Sequence, residues 1–187
     1  MTDIRILGIS GSLRAGSLNT ALLRAAQKYA PAGVTIDLYD GLAELPHYNG
    51  DLDTEENLPA QARELRDLIR AADGVLIATP EYNYSIPGAL KNAIDWASRP
   101  AATSSLLHKP VAIMGAAPTN FGTVRAQLAL RQVFVWTHSD VVVKPEVMVF
   151  RAHERFDEAG NLIDEDTITL VTSLVDALAA KIRGAAE

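Results

Sequence analysis

The chain has 187 residues, 48% hydrophobic and 21% charged, with 17 basic against 23 acidic side chains and a formal net charge of −6. This is the composition of one folded domain, not of a disordered chain; the acidic balance argues against a primary nucleic-acid surface, which needs a basic footprint. There is no cysteine, so disulfides, thiolate metal centres and cysteine nucleophiles are excluded and a reducing compartment is indicated. No apolar run approaches the ~18 residues of a membrane span, and the start Met1-Thr2-Asp3 lacks the basic leader of a signal peptide. The expectation is a single cytoplasmic domain over residues 1–187.

In chain order, residues 4–9 read as a buried strand, followed by a polar turn over 10–17. A helix is predicted from about Leu18 to Ala30, with Leu18, Leu22, Leu23 and Ala26 on one face and Pro31 stopping it. Residues 34–38 alternate like a strand. A long irregular stretch, 40–58, carries Gly41, Pro46, Gly50 and four acids between Asp51 and Glu56; a loop of that length is functional or mobile. Pro59 opens a second helix with Ala62, Leu65, Leu68, Ile69 and Ala72 as its apolar stripe. Residues 74–79 form a short apolar strand, and a third helix runs from near Pro87 to about Ser98. Another strand covers 111–117, a helix 123–136, and a fifth strand 140–143 continues after Pro145 through 147–150. A last helix, about Asp164 to Arg183, turns Ile168, Val171, Leu174, Val175 and Leu178 inward.

Strands separated by helices mean βαβ units, hence a five-stranded parallel sheet with helices on both faces. Ligands of such sheets bind beyond the carboxyl ends of the strands. Those ends are the loops 10–17, 40–58, 80–85 and 116–122.

The first loop runs Gly8-Ile9-Ser10-Gly11-Ser12-Leu13-Arg14-Ala15-Gly16-Ser17-Leu18-Asn19. Its glycines allow sharp turns, its hydroxyls donate hydrogen bonds, Arg14 adds a planar cation, and a helix N-terminus follows. These features suit a phosphate; the same residues also make a plain helix cap on a surface turn. Ser10 stands where a dinucleotide fingerprint needs its second glycine, and no Gly-Lys-Ser/Thr occurs, so both common phosphate loops fail. A mononucleotide monophosphate remains. The loop after the third strand, Thr79-Pro80-Glu81-Tyr82-Asn83-Tyr84-Ser85-Ile86-Pro87-Gly88, holds two of the five tyrosines. Held by flanking prolines, it makes a wall for a flat ring system, or a tight turn in which the tyrosines merely pack.

Gly11-Ser12-Leu13-Arg14 with Ser17 and Asn19, and the block from Thr79 through Pro87-Gly88-Ala89-Leu90-Lys91-Asn92-Ala93-Ile94-Asp95-Trp96, resemble the NADPH-dependent FMN reductase family, in particular its bacterial quinone and chromate reductases and related azoreductases. The resemblance implies a flavodoxin-like fold with strand order 2-1-3-4-5, bound FMN, NAD(P)H as co-substrate, and a homodimer or homotetramer. It implies that Ser12, Leu13, Arg14, Ser17, Leu18 and Asn19 form the phosphate end of the FMN site, Leu18 through its backbone. Pro80, Glu81, Tyr82, Asn83 and Tyr84 would line the isoalloxazine ring, with Ala117 of the third loop beside it. Relatives carry small hydroxyl residues where this chain has Ala116 and Ala117, so any hydrogen bond from that loop comes from backbone. The implied activity is ping-pong: NAD(P)H gives a hydride to the flavin, then a quinone, chromate, an azo compound or free flavin takes two electrons at the same face. No catalytic acid or base is assigned. The alternative is a flavodoxin-type electron carrier that never meets NAD(P)H.

His47, His108, His138 and His153 are scattered without metal-ligand spacing. His47 and Tyr48 are the residues by which the 40–58 loop could overhang the flavin, the other reading being a plain solvated loop; the acids 51–56 read as a solvated edge. Trp96 and Trp136 read as core or subunit interface, and Arg125 as a contact to substrate or to a neighbouring subunit. A phospho-receiver domain of the same topology is excluded, because Gly8-Ile9-Ser10 and Thr79-Pro80 replace the acids it needs.

Overall fold

The computed structural model describes residues 3–185. Alternation of strand and helix gives β1 (Ile4–Ser10), α1 (Leu18–Lys28), β2 (Val34–Tyr39), α2 (Ala60–Ala71), β3 (Gly74–Ala78), α3 (Gly88–Ala97), β4 (Pro110–Ala116), α4 (Val124–Thr137), β5 (Asp140–Val141), β6 (Val147–Val149) and α5 (Glu165–Ala185). The sheet is wholly parallel, in the order β2-β1-β3-β4-β5, with β6 also on β4. This is the doubly wound, flavodoxin-like order that the family resemblance implies. Among the described residues no helix is long and apolar enough to cross a membrane.

The fifth strand differs from expectation by being split. β5 pairs Asp140 and Val141 with Pro110 and Val111, whereas β6 pairs Val147–Val149 with Met114, Gly115 and Ala116. Residues 142–146 thus separate the two pieces while only Ala112 and Ile113 separate their partners on β4. Pro145 lacks the N–H a ladder needs, so the edge chain bulges there and rejoins the sheet beyond.

Side chains alternate across the sheet with period two. Ile4, Ile6, Leu76, Ala78, Ala112 and Met114 pack under α1 and α5, against Leu22, Leu23, Leu174 and Leu178. Leu7, Ile9, Val75, Ile77, Val111 and Ile113 face the other way, onto Leu65 and Ile69 of α2, Ile94 and Trp96 of α3, and Phe134 of α4. Both faces of the three central strands are therefore dry, which explains their near-continuous apolar sequence.

α5 begins on an aspartate cap. Asp164 accepts from the Thr167 amide and hydroxyl and pairs with Arg155 at 2.7 Å. The Thr167 hydroxyl first, and then its amide and Arg155, hold the Asp164 carboxyl below the ordinary aspartate value. A depressed folded-state pKa contributes stability above the unfolded-state value, and that stability is lost as pH falls through the folded one. Asp164→Asn keeps a cap oxygen but loses the charge paired with Arg155, and is expected to cost about 1 kcal/mol near neutrality. In urea unfolding, its deficit should shrink as pH falls below the ordinary aspartate range.

Candidate functional site

The loops after β1, β3 and β4 enclose one cavity of about 620 Å³. The first loop contributes Ser12, Arg14, Ser17, Leu18 and Asn19; residues 80–84 form another wall, and Ala116–Thr119, Phe121, Thr123 and Arg125 complete it. Every site residue expected from the sequence lines this cavity except Leu13, whose side chain stands in solvent, 58% exposed.

Ser17 is the N-cap of α1, its hydroxyl oxygen accepting from the amides of Asn19 and Thr20 at 3.2 Å. The helix-cap and anion-binding readings are thus compatible. The oxygen is spent on the helix while the hydroxyl proton stays free to donate into the cavity. The loop braces itself in the same way, since Ser10 Oγ takes the Ser12 amide and Ser12 Oγ the Arg14 amide. Its glycines do not serve as the sequence suggested. Gly8, Gly11 and Gly16 are absent from the positive-φ residues, and an added Cβ would meet Leu38 at Gly8, Leu90 and Pro80 at Gly11, and nothing within 4 Å at Gly16. Close approach, not backbone reversal, explains the first two.

Asn19 is 3% exposed, and its amide clamps a single residue: Nδ2 donates to the Ala116 carbonyl at 3.0 Å and Oδ1 accepts the Ala116 amide at 2.9 Å. It borders the cavity, yet its main work is to tie the start of α1 to the end of β4. Ala117 is committed as well, its amide donating to Val149 O and its carbonyl accepting from Ala152 N. The backbone donor expected from Ala117 is therefore spent inside the protein.

Residues 82–85 form a two-residue hairpin, with Tyr82 and Ser85 exchanging both backbone bonds at 3.0 Å. Asn83 and Tyr84 have φ of 49° and 66°, as the primed turns of hairpins require. Asparagine tolerates this region; at Tyr84 it costs about 1–2 kcal/mol. The Arg125 guanidinium lies 3.8 Å from the Tyr84 ring centroid and 4.5 Å from that of Phe121. Contacts of this kind favour the strained conformer.

Glu81 borders the cavity, yet its carboxylate is spent on the start of α4. Its carboxylate accepts from the Arg125 amide (2.9 Å), the Ala126 amide (3.2 Å) and the Arg125 guanidinium. Thr123, the residue at the N-cap of α4, makes no side-chain cap bond; the Val124 amide finds Phe121 O. Glu81 thus supplies from another loop the acceptor a local Ser or Asp ordinarily provides. Sequence patterns for caps look within a few residues, so a partner 44 positions away is invisible to them. Arg125 and Phe121, left outside the expected site, belong to it by the same geometry.

The 40–58 loop is pinned elsewhere. Pro46 O accepts from Asn92 Nδ2 and Trp96 Nε1, the Tyr48 amide donates to Asn92 Oδ1, and the Tyr48 ring meets Trp96 edge-on at 4.8 Å. Neither His47 nor Tyr48 borders the cavity, so of the two readings of this loop the overhang is set aside. Asp53 corrects the solvated-edge reading of its acidic run, since it pairs at 2.7 Å with the buried Arg66. Trp96 is fully buried, while Trp136 stands 78% exposed on α4 and is not core. No group of three His, Asp or Glu side chains suited to a metal occurs among the described residues.

The donor set fits a phosphorylated flat ligand. Ser12, Ser17 and Arg14 converge beside a helix N-terminus, and the lone acid at the cavity, Glu81, is already neutralised by Arg125. The NADPH-dependent FMN reductase family model matches residues 4–154. An NAD(P)H-dependent FMN reductase of Pseudomonas aeruginosa is 48% identical over 181 residues, 97% of this chain and 96% of that one. A quinone reductase of Escherichia coli is 40% identical, covering 93% of each chain. The solved structure of FerB, a flavoenzyme NAD(P)H:(acceptor) oxidoreductase from Paracoccus denitrificans, superposes with a TM-score of 0.87 at 36% identity, over 97% of this chain and 98% of that one. On the sheet order, the site and these similarities together, the chain belongs to the NADPH-dependent FMN reductase family.

Proposed function

We propose that the protein is an FMN-dependent NAD(P)H:acceptor oxidoreductase whose acceptors are quinones. The observation that carries this reading is the single cavity walled by a hydroxyl-and-arginine loop and by the tyrosine hairpin. The family membership and the quinone-reducing relatives support it against a pure electron carrier.

In this reading the Ser12 and Ser17 hydroxyls, the Arg14 guanidinium and the Leu18 amide hold the FMN phosphate. The backbone of residues 80–84 and the tyrosine rings border the isoalloxazine. The redox chemistry is the flavin's when bound: hydride acceptance from NAD(P)H and two-electron delivery to the acceptor. Ala116 and Ala117, with methyl side chains, leave room for a planar group and add no proton donor. Residues 1–187 are proposed to form one domain, and both substrates are proposed to use the same open face in turn. The reaction is proposed for the cytoplasm, where reduced nicotinamides are available. A homo-oligomer is proposed too; the exposed Leu128, Val135 and Trp136 on α4 give an apolar face for a second copy.

Reconstitution with FMN, followed by oxidation of NADH and NADPH with benzoquinone, tests the proposal. A yellow protein that turns over is expected; FMN binding with negligible NAD(P)H oxidation would restore the carrier reading. Arg14→Ala should weaken FMN roughly tenfold while leaving riboflavin nearly unchanged, because only a phosphate needs the guanidinium. Fluorescence titration of the apoprotein measures both.

A further inference from the structure

We infer that Glu81 is a positioning residue whose carboxylate sets flavin affinity through α4 and not through the flavin. The inference rests on the proposal that FMN occupies the cavity.

The hairpin of residues 82–85 is closed by one pair of backbone bonds between Tyr82 and Ser85, and Tyr84 sits in a backbone region that favours glycine. A wall built on such a turn is preorganised only if something outside it fixes the geometry. Glu81, immediately before the hairpin, does so. Its carboxylate is 9% exposed and takes the two free amides at the start of α4 together with the Arg125 guanidinium. Arg125 then reaches back over the Tyr84 ring. The circuit runs from hairpin to helix through Glu81 and from helix to hairpin through Arg125. The Glu81 link is charge-assisted and partly sheltered from water, the setting in which such bonds are strongest, and the Arg125 link adds a cation over the Tyr84 ring. With the carboxylate gone, two helix amides and a cation lose their partner, and Tyr84 loses the contact that favours its conformer.

FMN and riboflavin affinities of the apoproteins, read by flavin fluorescence well below the unfolding temperature, test this. Glu81→Ala is expected to weaken both ligands equally, by roughly tenfold to a hundredfold, because the defect lies at the ring and not at the phosphate. Arg14→Ala instead changes the FMN-to-riboflavin ratio. Glu81→Gln, whose amide oxygen still accepts the helix amides, should recover affinity to within about threefold of the parent. The visible absorption band of bound FMN should change shape in Glu81→Ala and revert in Glu81→Gln. Asp164→Asn, destabilised at a distant cap, should bind FMN as the parent does, which separates positioning from general instability. Parent-like affinity in Glu81→Ala overturns the inference. If that variant does not fold, Arg125→Met carries the same test, since it removes the ion pair and the Tyr84 contact but keeps the cap: about tenfold weaker binding supports the inference and no change overturns it. A parent protein that binds no flavin would instead defeat the cofactor proposal.

Discussion

Gly115→Ala is expected to be among the most damaging single-methyl additions in the molecule, costing about 3 kcal/mol or more. Gly115 lies in β4, where a Cβ would stand 2.0 Å from Thr123 Oγ1, 2.6 Å from the Thr79 carbonyl oxygen and 3.0 Å from Thr123 Cβ. The hydroxyl is already engaged by Gln127 Nε2, and the carbonyl is backbone, so neither withdraws cheaply. Relief requires β4 to move from the end of β3, which also parts the cavity walls. The midpoint of thermal unfolding should fall by roughly 6–12 °C, and FMN affinity should fall with it. Gly16→Ala is the control. It adds the same methyl into open space at a backbone without positive φ, so the gain in unfolded-state rigidity should leave the protein unchanged or up to about 1 kcal/mol more stable. Equal stability of the two variants would contradict the packing account.

Gly115 also shows what the sequence conveys and what it does not. The alternation of apolar strands and amphipathic helices sufficed for a parallel sheet with helices on both faces, because the cores on its two faces are written locally; the strand order came from the family resemblance. The cavity was legible for a similar reason: parallel sheets place their loops at one end, and two of those loops carry distinctive polar residues. Orientation was not legible. Glu81 and Asn19 were expected to face a ligand, yet both spend their polar atoms on backbone amides of other loops. A tertiary cap 44 residues away, or an amide clamp across 97, leaves no periodic trace in the chain. The split of β5 from β6 escaped for a different reason. Pro145 is visible in the sequence, but whether the chain resumes pairing beyond it depends on the free edge of β4.

The cavity is consequently held by residues that largely look away from it. Asn19 joins the start of α1 to the end of β4, Glu81 joins the hairpin to α4, and Ala117 is tied to Val149 at the end of β6 and to Ala152 beyond it. A planar cofactor gains affinity when its walls stand ready before it arrives. That arrangement also accounts for a site with no free acid or base: positioning is the protein's task and the redox chemistry belongs to the cofactor.

Asp53→Ala should be the costliest change in the 40–58 loop, at about 3–5 kcal/mol. Within that acidic run the side chains look interchangeable in sequence, but Asp53 alone meets Arg66, whose residue is 5% exposed and whose Nε donates to the Trp96 carbonyl at 2.8 Å. That carbonyl lies in the last turn of α3, so the arginine closes the helix end while Asp53 neutralises its charge. Tyr48 adds its hydroxyl to Asp53 at 3.3 Å; burial first, and the Asp53 charge second, push that phenol above the ordinary tyrosine value. Removing the carboxylate leaves a guanidinium buried without its counter-ion and cuts the loop's ion pair to α2. Glu55→Ala and Glu56→Ala, at exposed positions, should each change stability by less than about 0.5 kcal/mol. Urea unfolding of the three variants at one pH ranks them. Because this loop does not border the cavity, FMN affinity measured well below the unfolding transition should be nearly unchanged in Asp53→Ala, whereas a loop that covers the flavin would lose affinity along with stability.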